Sequence, residues 1–139
     1  MANFAAIIAN RGFYYAPHLV RSIGNSGNPL PEFQVKHVTS VDTANFRVAV
    51  DAMENVVNAG TATRARIPGI AVCGKTGSVE NDPLPEHSVF IAFAPKDNPK
   101  IAIAVYVEYS GMGGRAAYQR RPHFSHLVER RTADSRHRN

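Results

Sequence analysis

Gly74-Lys75-Thr76-Gly77-Ser78 sets a cation, two hydroxyls and two glycines side by side, a composition suited to holding an anion. Two backbone shapes could use it. Coiled at a helix N-terminus, its amides would cradle a phosphate, and residues 69–76, Gly-Ile-Ala-Val-Cys-Gly-Lys-Thr, match the G-x-x-x-x-G-K-[ST] pattern in letters. That pattern needs an apolar strand before it and a helix after it. Here Arg64-Ala65-Arg66-Ile67-Pro68 stands before, and Gly77, Asn81-Asp82-Pro83 and Pro85 stand after, where they break a helix. Drawn out as a strand, the same run would set an ammonium, a hydroxyl and a bare glycine along one extended edge, where a peptide could pair with the backbone. The strand is the favoured form. A nucleotide-binding phosphate loop is the alternative, and a helix after Thr76 would identify it.

The elements that must position this run follow from periodicity. Residues 1–10 predict a helix with Phe4, Ile7 and Ile8 as its apolar stripe and Asn10-Arg11-Gly12 as its stop. Residues 13–23 predict an extended or edge segment interrupted by Pro17, residues 24–31 a turn cluster, and residues 33–41 a short extended piece. Residues 42–59 carry the clearest helix signal. Phe46, Val50, Met53 and Val57 form one stripe, Ser40 or Asp42 can cap the start, and Gly60 ends it. Residues 69–79, 88–94 and 100–109 predict strands. The last two are joined by Pro95-Lys96-Asp97-Asn98-Pro99 into an antiparallel hairpin. Ile101, Ile103, Val105 and Val107 line one face, Ala102, Ala104 and Tyr106 the other, and Val89, Ile91 and Phe93 repeat the alternation. Both faces are apolar, so helices should cover both. The expected fold class is α+β, an antiparallel sheet packed by helices.

Several linked motifs then resemble one family. Ala6-Ile7-Ile8-Ala9-Asn10-Arg11-Gly12 is similar to an A-x-I-A-N-x-G helix end, and Pro17-His18-Leu19-Val20 to a P-H-L-V segment. Gly60-Thr61-Ala62 resembles a G-T-A turn, and Lys75-Thr76-Gly77 the Lys-Thr-Gly triplet of penicillin-recognising enzymes. His87-Ser88-x-Phe90-x-Ala92-Phe93-Ala94-Pro95 resembles the strand that follows the triplet. Residues 1–117 therefore look like the C-terminal portion of the transpeptidase domain of a class B penicillin-binding protein, of the elongation-type penicillin-binding protein 2 kind. The resemblance implies an incomplete penicillin-binding/β-lactamase-like fold and acyl transfer from D-alanyl-D-alanine peptides in peptidoglycan cross-linking. Stem peptides and β-lactams are the implied ligands. It implies that Lys75 supports the serine network and the ligand carboxylate, and that Thr76 binds that carboxylate. It further implies that Gly77 leaves room and that the Ser78 amide contributes to an oxyanion hole.

The family also uses S-x-x-K, and no serine of this sequence has lysine three positions on. Ser26-Gly27-Asn28 matches the family's S-x-N in letters but sits in the turn cluster and follows no such serine. The chain belongs by resemblance to a serine acyltransferase family while lacking the nucleophile, so by itself it should neither take up penicillin covalently nor cross-link peptides. It is expected to need the missing N-terminal part of its own domain as a partner. Neither a cofactor nor a metal is implied: His123 and His126 make only two ligands, and Cys73 is the single cysteine.

Of the net charge of +5, most sits in residues 118–139, where Arg120, Arg121, Arg130, Arg131, Arg136 and Arg138 face Glu129 and Asp134. This stretch reads as an atypical basic tail, solvated or disordered, and its abrupt composition suggests a change of reading frame near Ala117. A binding module with a basic tail is a further alternative, although no interleaved aromatics favour nucleic acid. No signal peptide or membrane-length apolar run is seen. The family is anchored in the inner membrane with its domain in the periplasm, whereas this chain alone would be expected to stay in the cytoplasm.

Overall fold

The structure is a computed structural model that describes residues 1–20, 22, 27, 29–114 and 121–136, excepting the side chains of 121–123 and 132–136. Ser26 and Asn28 of the S-x-N run, the side chain of His123 and the stretch around Ala117 lie outside the described residues.

Three strands run in chain order, β3 (Cys73–Val79), β4 (His87–Ala94) and β5 (Ile101–Val107), each antiparallel to the next. A two-stranded antiparallel ribbon, β1 (Phe13–Tyr15) with β2 (Lys36–Val38), stands apart from them. Three α-helices are described: α1 (Ala2–Ala9), α2 (Thr43–Asn58) and α3 (Arg121–Arg136). Short 3₁₀ turns lie at Pro31–Gln34 and Thr63–Ala65.

Alternation along β4 divides the core in two, as the doubly apolar strands require. Phe90, Ala92 and Ala94 face one cluster, completed by Ile101, Ile103, Val105 and Val107 of β5 and by Phe124 and Val128 of α3. Ile91 and Phe93 face the other, with Ala5, Ile8 and Ala9 of α1 and Phe46, Val50 and Met53 of α2. The α2 stripe is the one its spacing predicts, and Asp42 caps it, accepting from the Ala44 amide at 2.7 Å.

Helix α1 departs from expectation. Its buried face is Ala5, Ile8 and Ala9, while Phe4 is 58% exposed. The small alanines let the helix backbone lie close to the sheet, and closeness outweighs the transfer energy of one ring. Residues 13–23 give a strand only at Phe13–Tyr15, and 33–41 only at Lys36–Val38. The strand expected from Gly69 begins at Cys73. Gly69 takes φ +75° in a turn closed by Ile67 and Ile70, a conformation that suits glycine. Residues 121–136 form a helix that packs against β5.

Lys96, in the β4–β5 turn, ties that turn to α2. Its ammonium meets Asp51 at 2.7 Å and Glu54 at 2.7 Å, its amide donates to Ala71, and its carbonyl accepts from Arg11. The hydrogen bond from Lys96 holds the Asp51 carboxyl below its ordinary value of 3.8, and the two carboxylates, Asp51 first, hold the ammonium above 10.5. A depressed acid stabilises above its unfolded value, and a raised base stabilises below its own. The stability advantage of the parent over Lys96→Met should therefore be level between pH 3.8 and 10.5. It should shrink as pH falls or rises beyond those limits, as urea midpoints across pH would report.

Candidate functional site

Lys75, Thr76, Gly77 and Ser78 all lie on β3, which pairs only with β4 and is the edge of its sheet among the described residues. Gly74-Lys75-Thr76 is extended, and strand continues past Thr76 where a phosphate loop needs a helix. The phosphate-loop alternative is thereby overturned: the backbone amides of an extended ladder cannot curl around one phosphate.

Alternation sends Lys75 and Gly77 to one face and Thr76 and Ser78 to the other. Lys75 is exposed, and its ammonium donates to the Thr76 carbonyl at 2.6 Å. Thr76 is 8% exposed, and its hydroxyl lies 2.6 Å from that of Thr61. At Gly77 an added Cβ would meet only Val89, at an ordinary 3.7 Å. Nothing within the chain requires that glycine, so the space beside Lys75 is open. At Gly74 the reverse holds, because an added Cβ would lie 2.7 Å from the Phe90 ring.

A second layer supports the strand. Ser88 is fully buried, and its hydroxyl faces the carbonyls of Gly111 at 2.6 Å and Met112 at 2.8 Å while accepting from Ser110 at 2.7 Å. This knot holds the loop after β5 so that the Gly113 amide donates to Ser78 Oγ at 2.9 Å. Gly113 rides directly on the Gly77 backbone. The sequence motifs contained Ser88 and Ser78 but did not reveal these bonds. The one signal was Ser88 itself, a hydroxyl on the inward row that Phe90, Ala92 and Ala94 continue.

Cys73 begins β3 and is buried. Burial, reinforced by the charge of Glu54, pushes its thiol from 9.0 up to about 12. The thiolate is the nucleophile, so a maleimide or disulfide reagent at pH 8 should leave the folded chain unmodified and react once urea unfolds it. The folded state holds this proton more tightly than the unfolded chain. Stability should therefore fall above pH 9.0 and go on falling to about 12. The slope approaches roughly 1.4 kcal/mol per pH unit.

Among the described residues no cluster of three or more His, Cys, Asp or Glu could hold a metal, and no helix is long and apolar enough to cross a membrane.

The family model of the penicillin binding protein transpeptidase domain matches residues 1–128. The chain is 30% identical over 149 aligned residues to the peptidoglycan D,D-transpeptidase MrdA of Acinetobacter baumannii, covering 92% of this chain and 22% of that protein. It is 35% identical over 119 residues to the peptidoglycan D,D-transpeptidase PbpA of Mycolicibacterium smegmatis, covering 79% and 23%. Its fold is similar to the D,D-transpeptidase domain of a peptidoglycan glycosyltransferase from Eggerthella lenta, with TM-score 0.76 and 28% identity over 97% of this chain and 31% of that one. It is also similar to penicillin-binding protein A from M. tuberculosis, solved as an imipenem acyl-enzyme complex, with TM-score 0.71 and 31% identity over 86% and 28%. The chain thus spans less than a quarter of the length of these curated relatives. A match through residue 128, on an α+β fold with an antiparallel sheet, means that the chain belongs to the penicillin-binding protein transpeptidase domain family.

Proposed function

We propose that this chain is the carboxylate-binding side of a penicillin-binding D,D-transpeptidase that cross-links peptidoglycan in the periplasm. The observation that carries it is an edge strand on which an exposed ammonium, a hydroxyl and a bare glycine follow one another, at Lys75, Thr76 and Gly77. An extended peptide ending in D-alanyl-D-alanine would lie along that edge as an added strand, its terminal carboxylate near Lys75 and Thr76. The Ser78 amide would help hold the oxyanion. A serine supplied from outside this sequence attacks the penultimate carbonyl. The amide bond to the last D-alanine breaks, and the serine ester that forms is then taken by an amine of a neighbouring stem peptide. A β-lactam carboxylate would use the same groups.

The test joins the full chain behind the serine-bearing portion of the Acinetobacter baumannii relative and follows labelling by a fluorescent penicillin. The joined protein should be labelled and the chain alone should not. Lys75→Ala and Thr76→Val should each slow labelling tenfold or more, as expected for loss of a hydrogen bond to a charged group worth about 1.5–3 kcal/mol. Labelling of the chain alone, or indifference to both substitutions, would refute the proposal.

A further inference from the structure

Thr61 lies outside every strand, yet its hydroxyl reaches the Thr76 hydroxyl at 2.6 Å. The chain is brought there deliberately. Beyond α2 it turns back so closely that a Cβ at Gly60 would lie 2.9 Å from Val56 Cα, and the Val56 carbonyl accepts from the amides of both Gly60 and Ala62 at 3.1 Å. Ala62 and Ala65 then pin the loop into the core. From the other side Gly114 comes so near that a Cβ on it would sit 3.3 Å from the Thr61 carbonyl oxygen. An exposed threonine is thus fixed against a buried one.

Each hydroxyl has one hydrogen to give. With no ligand, either threonine can donate to the other. Once Thr76 gives its hydrogen to a carboxylate, only Thr61 can supply the hydrogen of the short contact. A hydroxyl that accepts one hydrogen bond is also polarised toward donating another. The Thr76 carbonyl is meanwhile occupied by Lys75. We infer that Thr61 is a positioning residue: by donating to Thr76 Oγ1 it aims the Thr76 hydrogen at a carboxylate ligand. This rests on the proposed carboxylate binding by β3, and Thr61 itself touches no ligand.

The experiment titrates the full ¹⁵N-labelled chain with benzylpenicillin and, separately, with its methyl ester, which lacks the free carboxylate, following the amides of residues 75–78. The acid should bind more tightly than the ester. Thr61→Val should weaken the acid about tenfold, the scale of one hydrogen bond, and the ester, whose neutral carbonyl is the weaker acceptor, distinctly less. Thr61→Ser, which keeps the hydroxyl, should restore the acid, and Thr61→Val should have no effect when Thr76→Val is already present. Equal weakening of acid and ester by Thr61→Val would show a merely structural role and overturn the inference. So would a Thr61→Val chain that binds the acid normally while Thr76→Val does not. If Thr76→Val also binds the acid normally, carboxylate binding by Thr76 is itself refuted and the inference falls with it.

Discussion

Phe93→Ala is expected to lower folding stability by about 3–5 kcal/mol, the range for emptying a large buried aromatic site. Phe93 has 0% exposure on the middle strand. It pairs with Cys73 in register and packs among Ala5, Ile8, Ala9, Phe46, Val50 and Met53. The Arg11 guanidinium stands over the ring at 5.9 Å, so the substitution also removes a cation–π partner. Neighbours held by helix and sheet backbones cannot close the hole cheaply, and alanines at 5 and 9 have nothing to extend into it. The urea midpoint should fall with little change in slope. Phe93→Leu, which refills much of the volume, should recover a large part of the loss. A Phe93→Ala loss below about 1 kcal/mol would contradict this packing.

Gly113→Ala should be the most damaging small substitution in the loop after β5. Its Cβ would lie 2.2 Å from the Gly77 carbonyl oxygen, 2.6 Å from its carbon and 2.8 Å from its nitrogen. All three are backbone atoms of a hydrogen-bonded strand, so no rotamer relieves the clash, and the loop must lift away. Lifting breaks the bond from the Gly113 amide to Ser78. Forced overpacking of this kind costs about 1–3 kcal/mol. Gly111→Ala provides the comparison. Gly111 has φ +77° but nothing within 4 Å of an added Cβ, so only left-handed strain opposes alanine, about 1–2 kcal/mol. Hydrogen exchange distinguishes them. Gly113→Ala should deprotect the residue 113 amide and loosen Ser78, whereas Gly111→Ala should leave that contact intact. Equal exchange at residue 113 in both variants would argue against contact between loop and strand.

Much of this was legible in the sequence because burial is periodic. The stripe of α2, the alternation of β4 and β5 and the covering of both sheet faces follow from where apolar residues recur. The family resemblance rested on motifs spread along the chain, and the match over residues 1–128 bears it out. Periodicity failed where small residues take over a packing role. In α1 the alanines rather than Phe4 face the core. In the tail, Phe124 and Val128, four apart among arginines and histidines, are the buried residues of the helix among those described. The contacts around Thr76 and Ser78 were out of reach for another reason. Thr61, Ser88 and Gly113 are distant in the chain, and no local pattern records which hydroxyls will meet.

The order β3-β4-β5 has an entropic consequence. Among the described residues spatial neighbours are also chain neighbours, so the sheet closes short loops, residues 80–86 and 95–100, at little entropic expense. Such neighbour-to-neighbour pairing keeps the contact order of the sheet low. The rim that bears Lys75 is thus built by local pairing, whereas its cover by α1 joins distant segments of the chain.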